Sequence, residues 1–356
     1  MATAQLSHIN SAVGPILITG HTGFKGAWLT MLLEHLEIEV VGLSLPPEPN
    51  SLFERAGRSG KIQEEYIDIT NAGAVNQFIR KLKPKIIIHL AAQSLVLESY
   101  KTPKYTFEVN VTGLINVLDA AVNSDTTKVV LVSTTDKVYD NHLAKMPFKE
   151  SDPLRGKDPY SASKVAAENV IFSWRELAKN LNHLKILTAR SGNVIGGGDF
   201  SKDRLVPDLI RAFSTNSDLL VRSFESTRPW QHVLDPLMGY LMMINTALNG
   251  GQIETLNFGP SEKSLSVRNV VEIALNTWPS NSRVIQANSN DGLESISLEL
   301  DSTLSTKALG WYPVWTQKEA VVSSLSWWKD VLYQGIDPQR RCNSDITEFL
   351  KAKVSK

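Results

Sequence analysis

The stretch Ile16–Gly26, "ILITGHTGFKG", decides the fold. A short apolar run enters three glycines, Gly20, Gly23 and Gly26, and the chain then continues with helical patterning to about Leu36. Strand, glycine turn and helix N-terminus in this order form a phosphate cradle. Glycine lets the backbone approach a pyrophosphate, while the first helical N–H groups and the positive dipole end face the anion. The spacing is GxxGxxG rather than GxGxxG, so the reading rests on the strand before the glycines and the helix after them. Gly20, Thr22, Gly23, Phe24 and Gly26 are the resulting cofactor candidates.

Working outward, β-type runs alternate with helical ones. "EVVGL" comes next, and "YIDIT" leads into a helix over Ala72–Leu82. "KIIIHLAA" precedes a helix over Pro103–Val122, "KVVLVST" a helix over Pro159–Lys179, and "LKILTAR" follows. These strands are apolar on both faces, as strands covered by helices on each side must be. The alternation predicts an α/β fold, a Rossmann-type doubly wound parallel sheet with a smaller C-terminal substrate-binding lobe. The expected division is a nucleotide-binding unit over 14–190, returning near 230–258 through "ETLNFGP". The lobe is expected over 191–229 and 259–345, with an N-terminal tail over 1–13. A ligand belongs in the cleft between unit and lobe, at the carboxyl ends of the strands.

Composition narrows the function. The chain has 356 residues, 42% hydrophobic and 21% charged, which suits a globular protein of this architecture. Lys+Arg and Asp+Glu are both 37, so no global field favours nucleic acid or a membrane surface. A single cysteine, Cys342, excludes an internal disulfide and suits a reducing cytoplasm. The start, "MATAQLSHINSAVG", lacks the basic-then-apolar order of a signal peptide. With no HxxxH or CxxC pattern, a metal site is not expected.

Two pairs of residues carry chemistry. "STTDKVYD" (Ser133–Asp140) puts Asp136 and Lys137 side by side just past a strand, after Thr135. "DPYSASK" carries Tyr160 and Lys164 four residues apart, hence on one face of a helix. A phenol with pKa near ~10 is a poor base at neutral pH. A neighbouring cation favours the phenolate, which can then take a proton from a sugar hydroxyl. At the second strand's end Ser44 stands where an acid would hold the ribose of NAD, so that position leaves NAD against NADP open. Asp68 is either an adenine contact or an acid at a helix N-terminus.

Glycine loop, strand-end "STT" and Tyr-xxx-Lys in this order resemble the extended short-chain dehydrogenase/reductase family, along nearly the whole chain. "TGHTGFKGAWL", "HLAAQSLV", "TTDKVYDN", "SGNVIGGGDFSKDRLVPD", "RPWQHVLDPLMGYL" and "STKALGWYPVW" sharpen the resemblance to its sugar-nucleotide 4,6-dehydratase branch. Related chains usually carry Thr-Asp-Glu where this one has Thr135-Asp136-Lys137. They often carry Pro and Arg where this one has Ser94 and Leu97. The resemblance implies tightly held NAD, a homodimer, and CDP-glucose or a related sugar nucleotide as substrate. Implied cofactor contacts include Asp68, Ile69, Leu90, Ala91, Ala92, Gln93, Tyr160 and Lys164. Implied substrate contacts are Ser94, Asn193, Arg204, Arg228 and Trp230, although packing of the lobe is the favoured reading of Trp230. In the implied reaction Tyr160 deprotonates the C4 hydroxyl while Thr135 hydrogen-bonds its oxygen. Asp136 serves as acid and Lys137 as base in eliminating water across C5 and C6. Two alternatives remain. An epimerase has no evident use for Asp136 and Lys137. A non-catalytic NAD-binding scaffold predicts a broken set, whereas Thr135, Tyr160 and Lys164 are all present.

Overall fold

The computed structural model describes residues 6–10, 14–141, 146–181, 184–287 and 297–355. Seven parallel strands form the central sheet. They are β1 (Ile16–Thr19), β2 (Val40–Ser44), β3 (Gln63–Tyr66), β4 (Ile86–His89), β5 (Val129–Thr135), β6 (Lys185–Ser191) and β7 (Thr255–Phe258). Their order is β3-β2-β1-β4-β5-β6-β7. The order reverses between β1 and β4, so the ligand crevice opens there, at the carboxyl ends. Leu17, Val41, Ile87, Val130 and Ile186 face one side. Ile16, Ile18, Ile88, Leu131 and Leu187 face the other. Period two with both faces buried is why these strands read as continuous apolar runs.

Helix α1 (Phe24–His35) is buried nearly all round because it lies between the sheet and the C-terminal helix. The next helix, α2 (Ala72–Leu82), is amphipathic, with Val75 and Ile79 fully buried. The helix expected over Pro103–Val122 is present but not uniform. Pro103–Phe107 passes through a wide π-type turn, Glu108–Gly113, into α3 (Leu114–Val122). Such turns concentrate at functional positions, and Asn110 on this one reaches the crevice. Helix α4 (Pro159–Ala178) starts at a reciprocal cap between Asp158 and Ser161, with Pro159 at its first position.

The lobe contains α5 (Leu205–Thr215) and three short strand pairs. Helix α6 (Leu234–Leu248) returns the chain under the sheet, followed by α7 (Val267–Thr277) and α8 (Gln317–Tyr333). The last helix, α9 (Pro338–Ser355), lies back on α1.

One strand differs from expectation. The third pairs through Gln63–Tyr66, and "YIDIT" contributes only Tyr66 before the chain turns. This is the sheet's edge, where charged residues are tolerated and apolar patterning fails. Of the segment read as a tail, residues 1–5 and 11–13 lie outside the described residues. Within it, Ser7–Asn10 forms a helical turn, with Leu6 and Ile9 in the core and Asn245 Oδ1 accepting from the His8 and Ile9 amides. Trp327 and Trp328 are core residues. Among the described residues no helix is long and apolar enough to cross a membrane.

Candidate active site

The glycine loop closes on the neighbouring strand end. Gly20 has φ +77°, and a Cβ there would lie 2.7 Å from the Ala91 amide nitrogen. A Cβ on Gly26 would lie 2.2 Å from the Gly20 carbonyl oxygen. Only glycine fits either position. Gly23 caps α1 with no side-chain hydrogen bond, leaving its first amides free of side-chain acceptors. The cradle therefore suits a dinucleotide diphosphate. Thr22 Oγ1 bonds Ser44 Oγ at 2.7 Å and donates to the Leu45 carbonyl, so Thr22 secures the end of β2. Phe24 lies against Gly196 and packs on the core.

Beyond β4, Leu90 pairs its amide with Thr19, and Ala91 and Ala92 lead to Gln93. Gln93 is held at both backbone groups by Asn110, whose Nδ2 also reaches Ser163 on α4 at 2.9 Å. The wide turn of the preceding helix thus ties the β4 loop to the Tyr160–Lys164 helix. Asp68 caps its own turn, accepting from the Thr70 amide and hydroxyl, and Ile69 packs in the core. Their local roles are structural.

Thr135 ends β5, where Asp136 is fully buried. Thr135 Oγ1 donates to Asp136 Oδ1 (3.1 Å), and Lys137 Nζ meets the same oxygen at 3.4 Å. Asp136 Oδ2 has no hydrogen-bond partner among the described residues. Lys137 also reaches Asn193 Oδ1 at 3.5 Å, drawing the lobe's first strand into the site. An acid and an amine in direct contact at a crevice can exchange one proton between them.

Tyr160 and Lys164 share the buried face of α4. Burial pushes the Tyr160 phenol up to about 12, against the hydrogen bond from Thr135 and the charge of Arg204. Lys164 is lowered to about 8, by burial first and then by Lys25, with Glu168 opposing. This differs from the expectation that Lys164 holds the phenol down. Desolvation dominates both groups, and the largest counterweights on Tyr160 are Thr135 and Arg204.

Arg204 joins two regions, donating to Ser94 Oγ (3.2 Å) and pairing with Asp199 (3.3 Å). Arg228 is buried and donates to the Thr227 carbonyl at 2.8 Å. Trp230 is only 3% exposed, and its indole N–H bonds the Leu265 carbonyl, so locally it packs the lobe.

Sequence reasoning missed the supports. Glu168, one turn past Lys164, accepts from Thr134 and takes Arg190 in a buried bidentate pair at 2.9 and 3.0 Å. The available signal was a glutamate one turn along the Tyr-xxx-Lys face. Lys25 lay in plain view within the glycine loop.

Comparison with known proteins bears on this geometry. Residues 16–259 match the family described as NAD dependent epimerase/dehydratase. The CDP-glucose 4,6-dehydratase of Salmonella typhimurium is 34% identical over 346 residues, covering 95% of this chain and 96% of that protein. A dTDP-glucose 4,6-dehydratase of Xanthomonas campestris is 24% identical, covering 88% of this chain and 92% of that one. In fold, the chain is similar to DesIV, a dTDP-glucose 4,6-dehydratase from Streptomyces venezuelae solved with NAD and TYD bound. That likeness has a TM-score of 0.77 at 21% identity and covers 91% of this chain and 99% of that one.

Proposed function

Because the chain belongs to the NAD dependent epimerase/dehydratase family, we propose that it is a sugar-nucleotide 4,6-dehydratase converting CDP-D-glucose to CDP-4-keto-6-deoxy-D-glucose and water. The observation that carries this reading is the contact between Asp136 and Lys137 at the end of β5, beside Thr135 and Tyr160. A simple dehydrogenase or an epimerase has no step that uses that pair.

NAD fits the Gly20–Gly26 cradle and the uncapped start of α1, and when bound it supplies the acceptor and donor for hydrogen moved from C4 to C6. The chain's own residues do the rest. Tyr160, whose phenolate form Thr135, Arg204 and the positive charge of a bound cofactor would favour against its burial, takes the C4 hydroxyl proton while Thr135 donates to the C4 oxygen. The 4-keto group acidifies C5–H. Lys137, as free amine, takes that proton, and Asp136, as carboxylic acid, protonates the departing C6 hydroxyl. Moving one proton across the Asp136–Lys137 contact converts the ion pair to the working acid and base, and the elimination restores the ion pair. Lys137 returns its proton to C5. Tyr160 releases one proton and Asp136 takes one up through water, which closes the cycle. Lys164 orients the cofactor beside Tyr160.

The substrate diphosphate falls to Ser94, Asn193, Arg204 and Arg228. Arg204 is the favoured anchor, because it is partly exposed and reaches Ser94 and Asp199 together. We place a second copy of the chain against the helices carrying Tyr100, Tyr105, Phe107 and Phe172, large apolar side chains left exposed. Cys342 is a buried free thiol, consistent with work in the cytoplasm.

The test is product analysis with CDP-, dTDP-, GDP- and UDP-hexoses. A 4-keto-6-deoxy product from CDP-glucose without net reduced nicotinamide is expected. Reduced nicotinamide accumulating in proportion to product overturns the reading for a dehydrogenase, and C4 inversion without loss of water overturns it for an epimerase.

A further inference from the structure

Lys25 lies in the first turn of α1, and its side chain ends in a cluster built from four elements. Its Nζ donates to Ser191 Oγ (2.8 Å), Tyr240 OH (3.1 Å) and Ser133 Oγ (3.5 Å). Three ammonium donors thus meet three oxygens. Tyr240 OH also bonds Ser133 and Ser191, at 3.1 Å each. These hydroxyls can satisfy one another without a lysine. The polar cluster therefore does not require Lys25 for its own hydrogen bonding, and what the lysine adds is charge.

The cluster's position matters. Ser133 lies two residues before Thr135 on β5, and Ser191 two before Asn193 at the end of β6. Both strands lead directly to residues that meet Lys137 or Asp136. Lys25 itself lies within the cofactor cradle, between Gly23 and Gly26.

Resting on the dehydratase reading above, we propose that Lys25 is a positioning residue for that reaction, tying the cofactor helix to the ends of β5 and β6 and presenting a second positive charge to Lys164. The electrostatics agree. Burial pushes the Tyr240 phenol up, yet the charge of Lys25 and the bonds from Ser133, Ser191 and Lys25 hold it below its ordinary value. Lys164 is lowered by burial and next by Lys25. The other groups facing Lys164 are Glu168 on its own helix and His89 on β4, which burial keeps neutral. A lysine whose proton is held loosely near working pH is suited to exchanging it with Tyr160.

Lys25→Met keeps the stem and removes the charge. In the full-length protein, NMR of isotope-labelled lysine, assigned through Lys164→Arg, follows the Lys164 midpoint without any turnover. The midpoint should rise from about 8, by on the order of one unit for a like charge removed from a partly buried site. With CDP-glucose, the first appearance of reduced nicotinamide should slow ~10-fold or more at nearly unchanged KM, as expected for misplacement without lost binding. Lys25→Arg should restore most of both. Tyr240→Phe removes the phenol but keeps the charge and should leave the midpoint in place. Should the methionine variant not fold, Lys25→Gln makes the same comparison. An unmoved midpoint, an unchanged hydride-removal rate, or an equal shift in Tyr240→Phe overturns the assignment. If the wild type turns over none of the nucleotides, the function proposed above fails, and the titration alone still decides whether Lys25 acts on Lys164.

Discussion

Replacing Lys137 with methionine separates the two halves of the proposed chemistry. The stem length is kept, and the amine that meets Asp136 Oδ1 at 3.4 Å and Asn193 Oδ1 at 3.5 Å is lost. The gross attraction across the first contact is about 5 kcal/mol at an effective dielectric near ~20. The net loss of stability is smaller, because Lys137 keeps 30% of its side chain in solvent. Asp136 retains its bond to Thr135, so the fold should survive. Removing a general base typically costs ~10²–10⁴-fold in rate, or about 3–5 kcal/mol of barrier. Tyr160, Thr135 and Lys164 are untouched, so the C4 proton and hydrogen should still leave. In deuterated solvent the wild type should place deuterium at C5 of its product. The variant should instead accumulate reduced nicotinamide and a bound 4-keto hexose that retains its C6 hydroxyl. Tyr160→Phe should fail earlier and accumulate neither. Near wild-type turnover with normal C5 exchange in Lys137→Met would refute the argument and make Lys137 a solvated loop charge.

Gly23→Val puts a branched side chain where the nearest atom is the Gly20 carbonyl oxygen at 3.3 Å, so NAD affinity should fall in a folded protein; calorimetric titration showing unchanged affinity would move the diphosphate elsewhere. His89 and His232 are each lowered to about 3, by burial first and then by Lys164 and Arg341 respectively. The unfolded chain takes up these protons near pH ~6.5 and the folded one only near 3, so this stability is complete above ~6.5 and is lost as pH falls toward 3. Thermal unfolding across that window should show the decline, and His89→Gln should flatten it by about one proton's slope. Phe172 is 61% exposed on α4. Phe172→Glu should shift the protein to monomer in sedimentation velocity, and an unchanged dimer would place the interface on another face.

The sequence revealed the sheet where the chain's chemistry was unambiguous. Six of the seven strands, all but β3, are buried on both faces, and the apolar runs of β1, β2, β4, β5 and β6 announced themselves. Strand β3 was displaced because Gln63, Glu64 and Glu65 pair at an open edge, where pairing imposes no apolar pattern. The wide turn at Glu108–Gly113 was hidden for a different reason. Its residues, Glu-Val-Asn-Val-Thr-Gly, carry no spacing that distinguishes a wide turn from a weak helix, and the contact that requires Gly113 is tertiary, since a Cβ there would lie 2.5 Å from the Ile69 side chain.

The site was legible to the extent that its residues are neighbours in sequence. Thr135, Asp136 and Lys137 are consecutive, and Tyr160 and Lys164 are one helical turn apart. Their mutual contacts follow from local geometry. Trp230 could be read as a ligand contact or as packing, and only the fold decides its local role, because Leu265, which accepts from its indole N–H, lies 35 residues further along the chain. Lys25 shows the converse. It stands among residues read for their backbone, and its side chain acts 108 residues away at Ser133, 166 away at Ser191 and 215 away at Tyr240. No period or spacing connects these positions, because they meet only when β5 and β6 lie side by side and α6 passes beneath them. A lysine in that loop is nonetheless chemically out of place. Backbone amides alone suffice to hold a diphosphate, so a long cation directed away from them toward two strand ends calls for a second purpose. The purpose it fits is holding the cofactor helix in register with the strand ends that carry the acid and the base.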